Sequence, residues 1–155
     1  MEIKRFLIGS KAIFAGYKEF DNITTDTDIL IIDENPADYD FEKQYHEPED
    51  DTIHYIRWKN MSKEDLLFFH THNCYMGTFI QKFLVPEYAE WIGLTIEELK
   101  SMERLLKYMD DKHEYEKIVF YAYIENNGFF LTPEQKEEAY QVYKSKRVEE
   151  TVEEN

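Results

Sequence analysis

Two hydrophobic periods divide the chain. Up to about residue 60 the apolar positions come in short runs bounded by polar residues or glycine. Arg5-Phe6-Leu7-Ile8, Ile29-Leu30-Ile31-Ile32 and Ile53-His54-Tyr55-Ile56-Arg57-Trp58 are rich in β-branched and aromatic residues, the mark of strands. Between the first two, Lys11 to Phe20 places Ala12, Ile13 and Phe14 on one helical face, and Asp21-Asn22 ends that pattern. Asp33 to Asp51 carries two prolines and a dense acidic run, so it reads as a long surface loop.

From Ser62 the period becomes helical. Ser62-Lys63-Glu64-Asp65 has the form of a capping box, and Leu66 to Phe69 continue into a helix. Met76, Phe79, Ile80 and Phe83 recur at helical spacing, with Asn73 and Gly77 leaving open one helix or two. Pro86 interrupts this run. Thr95-Ile96-Glu97-Glu98 is a second capping box, whose stripe continues through Leu99, Met102, Leu105, Leu106 and Met109. Asp110-Asp111-Lys112 is a short break or a kink. Glu114 to Glu125 is a further helix with Tyr115, Ile118, Val119 and Ala122 inward. Gly128 suits a left-handed cap at its end. Thr132-Pro133-Glu134-Gln135 is the clearest helix start, leading a helix that buries Ala139, Tyr140 and Tyr143.

These elements predict an α+β protein. A small mixed β-sheet core over residues 1–60 is followed by a helical half over 61–147 that covers the back of the sheet, and 148–155 forms a frayed acidic tail. The Met and aromatic stripes are read as core.

Chemistry concentrates near the first two strands. Side chains alternate along a strand, so Asp26 and Asp28 point the same way at the entrance of an apolar run. Two adjacent carboxylates repel unless a cation or proton lies between them, and Mg²⁺ takes such a pair together with substrate phosphates. Gly9-Ser10 follows the first strand. Its glycine permits close approach of a ligand, and a helix starting there would turn its N–H groups toward an anion. Ser10 adds a hydroxyl, and Lys11 is placed to assist at phosphates.

Gly9-Ser10, a helix, and then Thr25-Asp26-Thr27-Asp28 before Ile29-Leu30-Ile31-Ile32 resembles the nucleotidyltransferase fold of the DNA polymerase β-like superfamily. The resemblance covers roughly the first third of the chain. It implies that Gly9 and Ser10 hold the phosphates of a nucleoside triphosphate and that Asp26 and Asp28 bind Mg²⁺ and act in catalysis. It also implies a third carboxylate on a neighbouring strand, which Ile53–Trp58 does not carry. Asp51, just before that strand, or His54, within it, is left to replace that group as ligand or base. Tyr39, Phe41 and Tyr45 become base-stacking candidates if the acidic loop covers the nucleotide.

Composition narrows the partners. The 155 residues carry a formal net charge of −15. That makes an extended nucleic acid a poor substrate, since phosphate binding rests on Lys and Arg. It suits a small nucleotide held through metal, or a basic protein partner. The alternative reading is therefore a catalytically inactive member of the fold that uses its acidic surface as an interaction site or nucleic-acid mimic. The single cysteine, Cys74, excludes an internal disulfide and is read as a small buried residue. His70, His72 and Cys74 diverge on a helix, which argues against zinc. No apolar run reaches membrane-span length, and the N-terminus lacks a signal-peptide core, so a cytoplasmic protein is expected.

Overall fold

The computed structural model describes residues 2–20, 25–35, 42–72 and 77–154; for 69–72, 77–79 and 147–154 it describes the backbone alone. The architecture is α+β, with a four-stranded mixed sheet and helices mostly in the C-terminal half. The chain divides into two compact units, Met1–Leu66 and Leu67–Asn155.

The first unit holds strands β1 (Glu2–Ile8), β2 (Thr27–Asp33), β3 (Glu42–Glu47) and β4 (Asp50–Lys59) in the order β1-β2-β4-β3. The β2–β4 pairing is parallel, and both flanking pairs are antiparallel. β2 lies in the interior of the sheet, which is why its apolar run needs no alternation: Leu30, Ile31 and Ile32 are all buried. Strand alternation and register put Phe6, Leu30, Ile32 and Trp58 on one face. On the opposite face Arg57 Nη1 donates to both carboxylate oxygens of Asp33, each at 3.0 Å, and its Nε donates to the Tyr45 hydroxyl, also at 3.0 Å. Tyr45 stacks on Tyr55 at 5.2 Å there, and Arg5 lies over Tyr55.

Two expectations change in this unit. The helix expected over Lys11–Phe20 is a single turn, α1 (Ser10–Ile13), and Gly16 follows at φ 80, a left-handed conformation that ends helical winding. The stretch read as loop over Asp33–Asp51 contains β3, an edge strand joined to β4 by a tight turn at Pro48-Glu49. Its charges hid it, because edge strands favour charged side chains that discourage pairing with other chains. Asp21-Asn22, Tyr39 and Phe41 lie outside the described residues.

The rest of the chain is helical, and the boundary between the two units falls within the first of these helices. α2 (Lys63–His72) begins on Ser62, whose hydroxyl accepts from the Asp65 amide at 3.1 Å. α3 (Gly77–Phe83) is a separate helix, and Pro86 opens α4 (Pro86–Ile92) at its first turn, where no N–H is needed. The box at Thr95 forms in full: its hydroxyl accepts from the Glu98 amide at 3.1 Å, and the Glu98 carboxylate accepts from the Thr95 amide at 2.9 Å. Thr95→Ala is expected to cost about 1 kcal/mol in a urea unfolding titration. The stripe that starts there leaves α5 (Ile96–Lys100) and continues through a 3₁₀ segment, Glu103–Tyr108. Leu99, Met102, Leu105, Leu106 and Met109 are all buried, so the spacing survives the change of winding.

A short 3₁₀ turn, Asp111–His113, leads into α6 (Glu114–Asn126). Its left-handed cap is Asn127, at φ 53, rather than Gly128. Asn tolerates that conformation, and the Gly128 amide then donates to the Tyr123 carbonyl at 3.1 Å. Tyr123 is buried, its hydroxyl donates to the Leu84 carbonyl at 2.8 Å, and burial pushes its phenol well above the ordinary range. α7 (Pro133–Glu154) opens on the reciprocal box between Thr132 and Gln135. It runs through all but the last residue of the stretch expected as a frayed tail. Ala139, Tyr140 and Tyr143 are buried as expected. The side chains of Met76, Phe79, His70, His72 and Cys74 lie outside the described residues. No described helix is long and apolar enough to cross a membrane.

Candidate functional site

Register builds the site. Ile8 of β1 pairs with Asp28 of β2, Asp28 with His54 of β4, and His54 with His46 of β3. Residues paired across a sheet share a face. One row therefore crosses all four strands at the end where β1 leads into Gly9. Asp26 precedes β2 by one residue and is exposed, whereas Asp28 is half-buried.

Gly9 takes φ 74 and ψ −158, a conformation that is essentially glycine's own. A β-carbon at Gly9 would lie 2.7 Å from Asp28 Oδ2. The close approach that glycine permits is thus to the Asp28 carboxylate, from within the chain. Ser10 is buried. Because α1 is one turn long, little helix dipole accumulates behind Gly9-Ser10, contrary to what a ten-residue helix would have supplied. Lys11 reaches across to β2, where its ammonium donates to the Thr27 hydroxyl at 2.5 Å, between the two aspartates in sequence.

His54 stands between the carboxylates. Its Nε2 lies 3.4 Å from Asp26 Oδ2, and its Nδ1 lies 3.7 Å from Asp28 Oδ1. Burial pushes the Asp28 carboxyl above its ordinary range; His54 opposes that shift, Asp26 adds to it, and Lys11 opposes it. Asp51 meets this group through its backbone carbonyl, 3.2 Å from His54 Nε2 and 3.1 Å from His46 Nδ1. The two imidazole rings are 4.2 Å apart.

Gly9, Lys11, Asp26, Asp28 and His54 therefore come together, and Asp51 joins by its main chain. Among the described residues no three or more His, Cys, Asp or Glu side chains converge to hold a metal ion. Tyr45 does not join: it alternates with His46 and lies on the opposite face beside Tyr55, so it cannot stack a base over this row. His46 is the residue that sequence reasoning missed. The signal for it was present as an alternation of Tyr45 and His46 inside a charged stretch. Comparison of the chain with protein-family models, curated proteins and solved structures gives no match.

Proposed function

We propose that this protein is nucleotidyltransferase-like and binds a nucleoside triphosphate with Mg²⁺ at Gly9, Ser10, Lys11, Asp26 and Asp28. The observation that carries this reading is the contact between the Gly9 turn and the Asp28 carboxylate. It sets the candidate phosphate segment beside the candidate metal ligands. Two carboxylates fit Mg²⁺ when triphosphate oxygens and water complete its shell. A bound Mg²⁺ would neutralise charge on the α-phosphate during transfer.

The chain's own residues supply the rest. Lys11 lies close enough to Asp28 to influence its charge and can turn from Thr27 toward a phosphate. Asp26 and Asp28 point to one side, with His54 Nε2 3.4 Å from the first and Nδ1 3.7 Å from the second. In the active reading a hydroxyl acceptor passes its proton to His54, the candidate base, attacks the α-phosphate and displaces pyrophosphate. His54 occupies the strand where the family resemblance expects a third acid.

That same replacement favours a second reading, a non-catalytic relative that binds a basic protein through its acidic surface, consistent with the net charge of −15. Calorimetry with each nucleoside triphosphate, with and without Mg²⁺, separates the two. Metal-dependent binding that disappears in Asp26→Ala/Asp28→Ala is the expected result. A folded protein that binds no nucleotide would reject the first reading.

A further inference from the structure

His54 has two ring nitrogens and three oxygen neighbours, and the kinds of oxygen decide its state. A backbone carbonyl only accepts hydrogen bonds. The Asp51 carbonyl lies 3.2 Å from His54 Nε2 and 3.1 Å from His46 Nδ1. For the neutral rings, both of these nitrogens must therefore carry the proton. His54 Nε2–H then also lies 3.4 Å from Asp26 Oδ2, and the Nδ1 lone pair is 3.7 Å from Asp28 Oδ1. The opposite tautomer would set the Nε2 lone pair against two oxygens at once.

His46 closes the arrangement from the side away from Asp28. It sits directly across the β3–β4 pairing from His54, and its ring packs at 4.2 Å.

We propose that His46 is a positioning residue: with the Asp51 carbonyl it fixes His54 as the Nε2–H tautomer and holds that ring against Asp26 and Asp28. The consequence for a cation rests on the nucleotide-site reading above, in which those two carboxylates are the metal seat. Groups that orient a ligand from behind are worth roughly tenfold or more in metal affinity.

Long-range ¹H–¹⁵N spectra of the histidine rings in the metal-free full chain test this at about pH 8.5, above the usual imidazole range. The expected spectra show His54 protonated on Nε2 and His46 on Nδ1. His46→Ala should shift or average the His54 signature and weaken Mn²⁺ binding roughly tenfold. His46→Phe keeps a ring in place and should restore both. A wild-type His54 protonated on Nδ1 would overturn the proposal, as would a His46→Ala variant whose His54 spectrum is unchanged. Expected spectra in a protein that binds no Mn²⁺ or nucleotide would support the positioning role and reject the nucleotide-site reading instead.

Discussion

Gly9→Ala is expected to destabilise the protein by roughly 2 to 5 kcal/mol, from backbone strain and overpacking together. Any side chain at φ 74 and ψ −158 is strained. The added methyl would also lie 2.7 Å from Asp28 Oδ2, closer than real contacts allow, so the carboxylate must move. Gly16 provides the control. It too has positive φ, but a β-carbon there meets nothing within 4 Å, so Gly16→Ala should show backbone strain alone. Removing the carboxylate separates the two costs at Gly9. In an Asp28→Ala background Gly9→Ala should cost about 1 kcal/mol less than in the wild type, a coupling expected of residues in contact. Urea unfolding of the four proteins gives the cycle. Strict additivity would show that the contact with Asp28 carries no energy.

That contact marks the limit of what the sequence could reveal. Asp26 and Asp28 sharing one side is legible from strand alternation, because it depends on the two residues that flank Thr27 at the start of β2. The capping boxes at Ser62, Thr95 and Thr132 are legible for the same reason: each is closed within four residues. His54 beside Asp28 is not local. It depends on the parallel register between β2 and β4, which no stretch of sequence states. His46 depends on a further pairing, through an edge strand whose acids and neighbouring prolines resemble a loop. Gly9 illustrates a different gap. Its need for glycine was legible, but its partner was not: the space it leaves is taken by a side chain rather than by a ligand. The α1 turn ends at Ile13 and Gly16 turns left-handed three residues later, and an apolar period alone registers neither.

The opposite sheet face shows how a strand can be buried without reading as such. Ile31 has no exposed surface, although Leu7 on the same face is open. Arg57, beside Ile31 in the β2–β4 register, is held on this face by Asp33 and Tyr45. A charged residue in a strand pattern therefore belongs to the packing here, and its partner Asp33 is the buried end of β2.

Asp28→Asn should raise stability at neutral pH while abolishing Mg²⁺-dependent triphosphate binding. The sign follows from the direction of the shift. Burial raises the folded-state carboxyl pKa above its unfolded value near 3.8, so the folded chain binds the proton more tightly than the unfolded chain. The resulting stability is complete below the unfolded value and is lost as pH rises through the folded one. Ionising this carboxyl in the folded chain carries a burial cost that outweighs the help of His54 and Lys11. Asparagine keeps the shape and removes that cost. Its advantage should shrink as pH falls and the wild-type group protonates. Melting temperatures of the two proteins between about pH 7 and pH 4 measure this. Asp26→Asn is the matched comparison: with the Asp26 side chain 57% exposed, it should leave stability nearly unchanged and yet lose metal-dependent binding. A carboxylate kept only to hold the fold would behave the other way, and its removal would lower the melting temperature at pH 7. A half-buried acid that weakens its own fold is what a site selected to receive a cation should contain, because the missing charge arrives with the ligand.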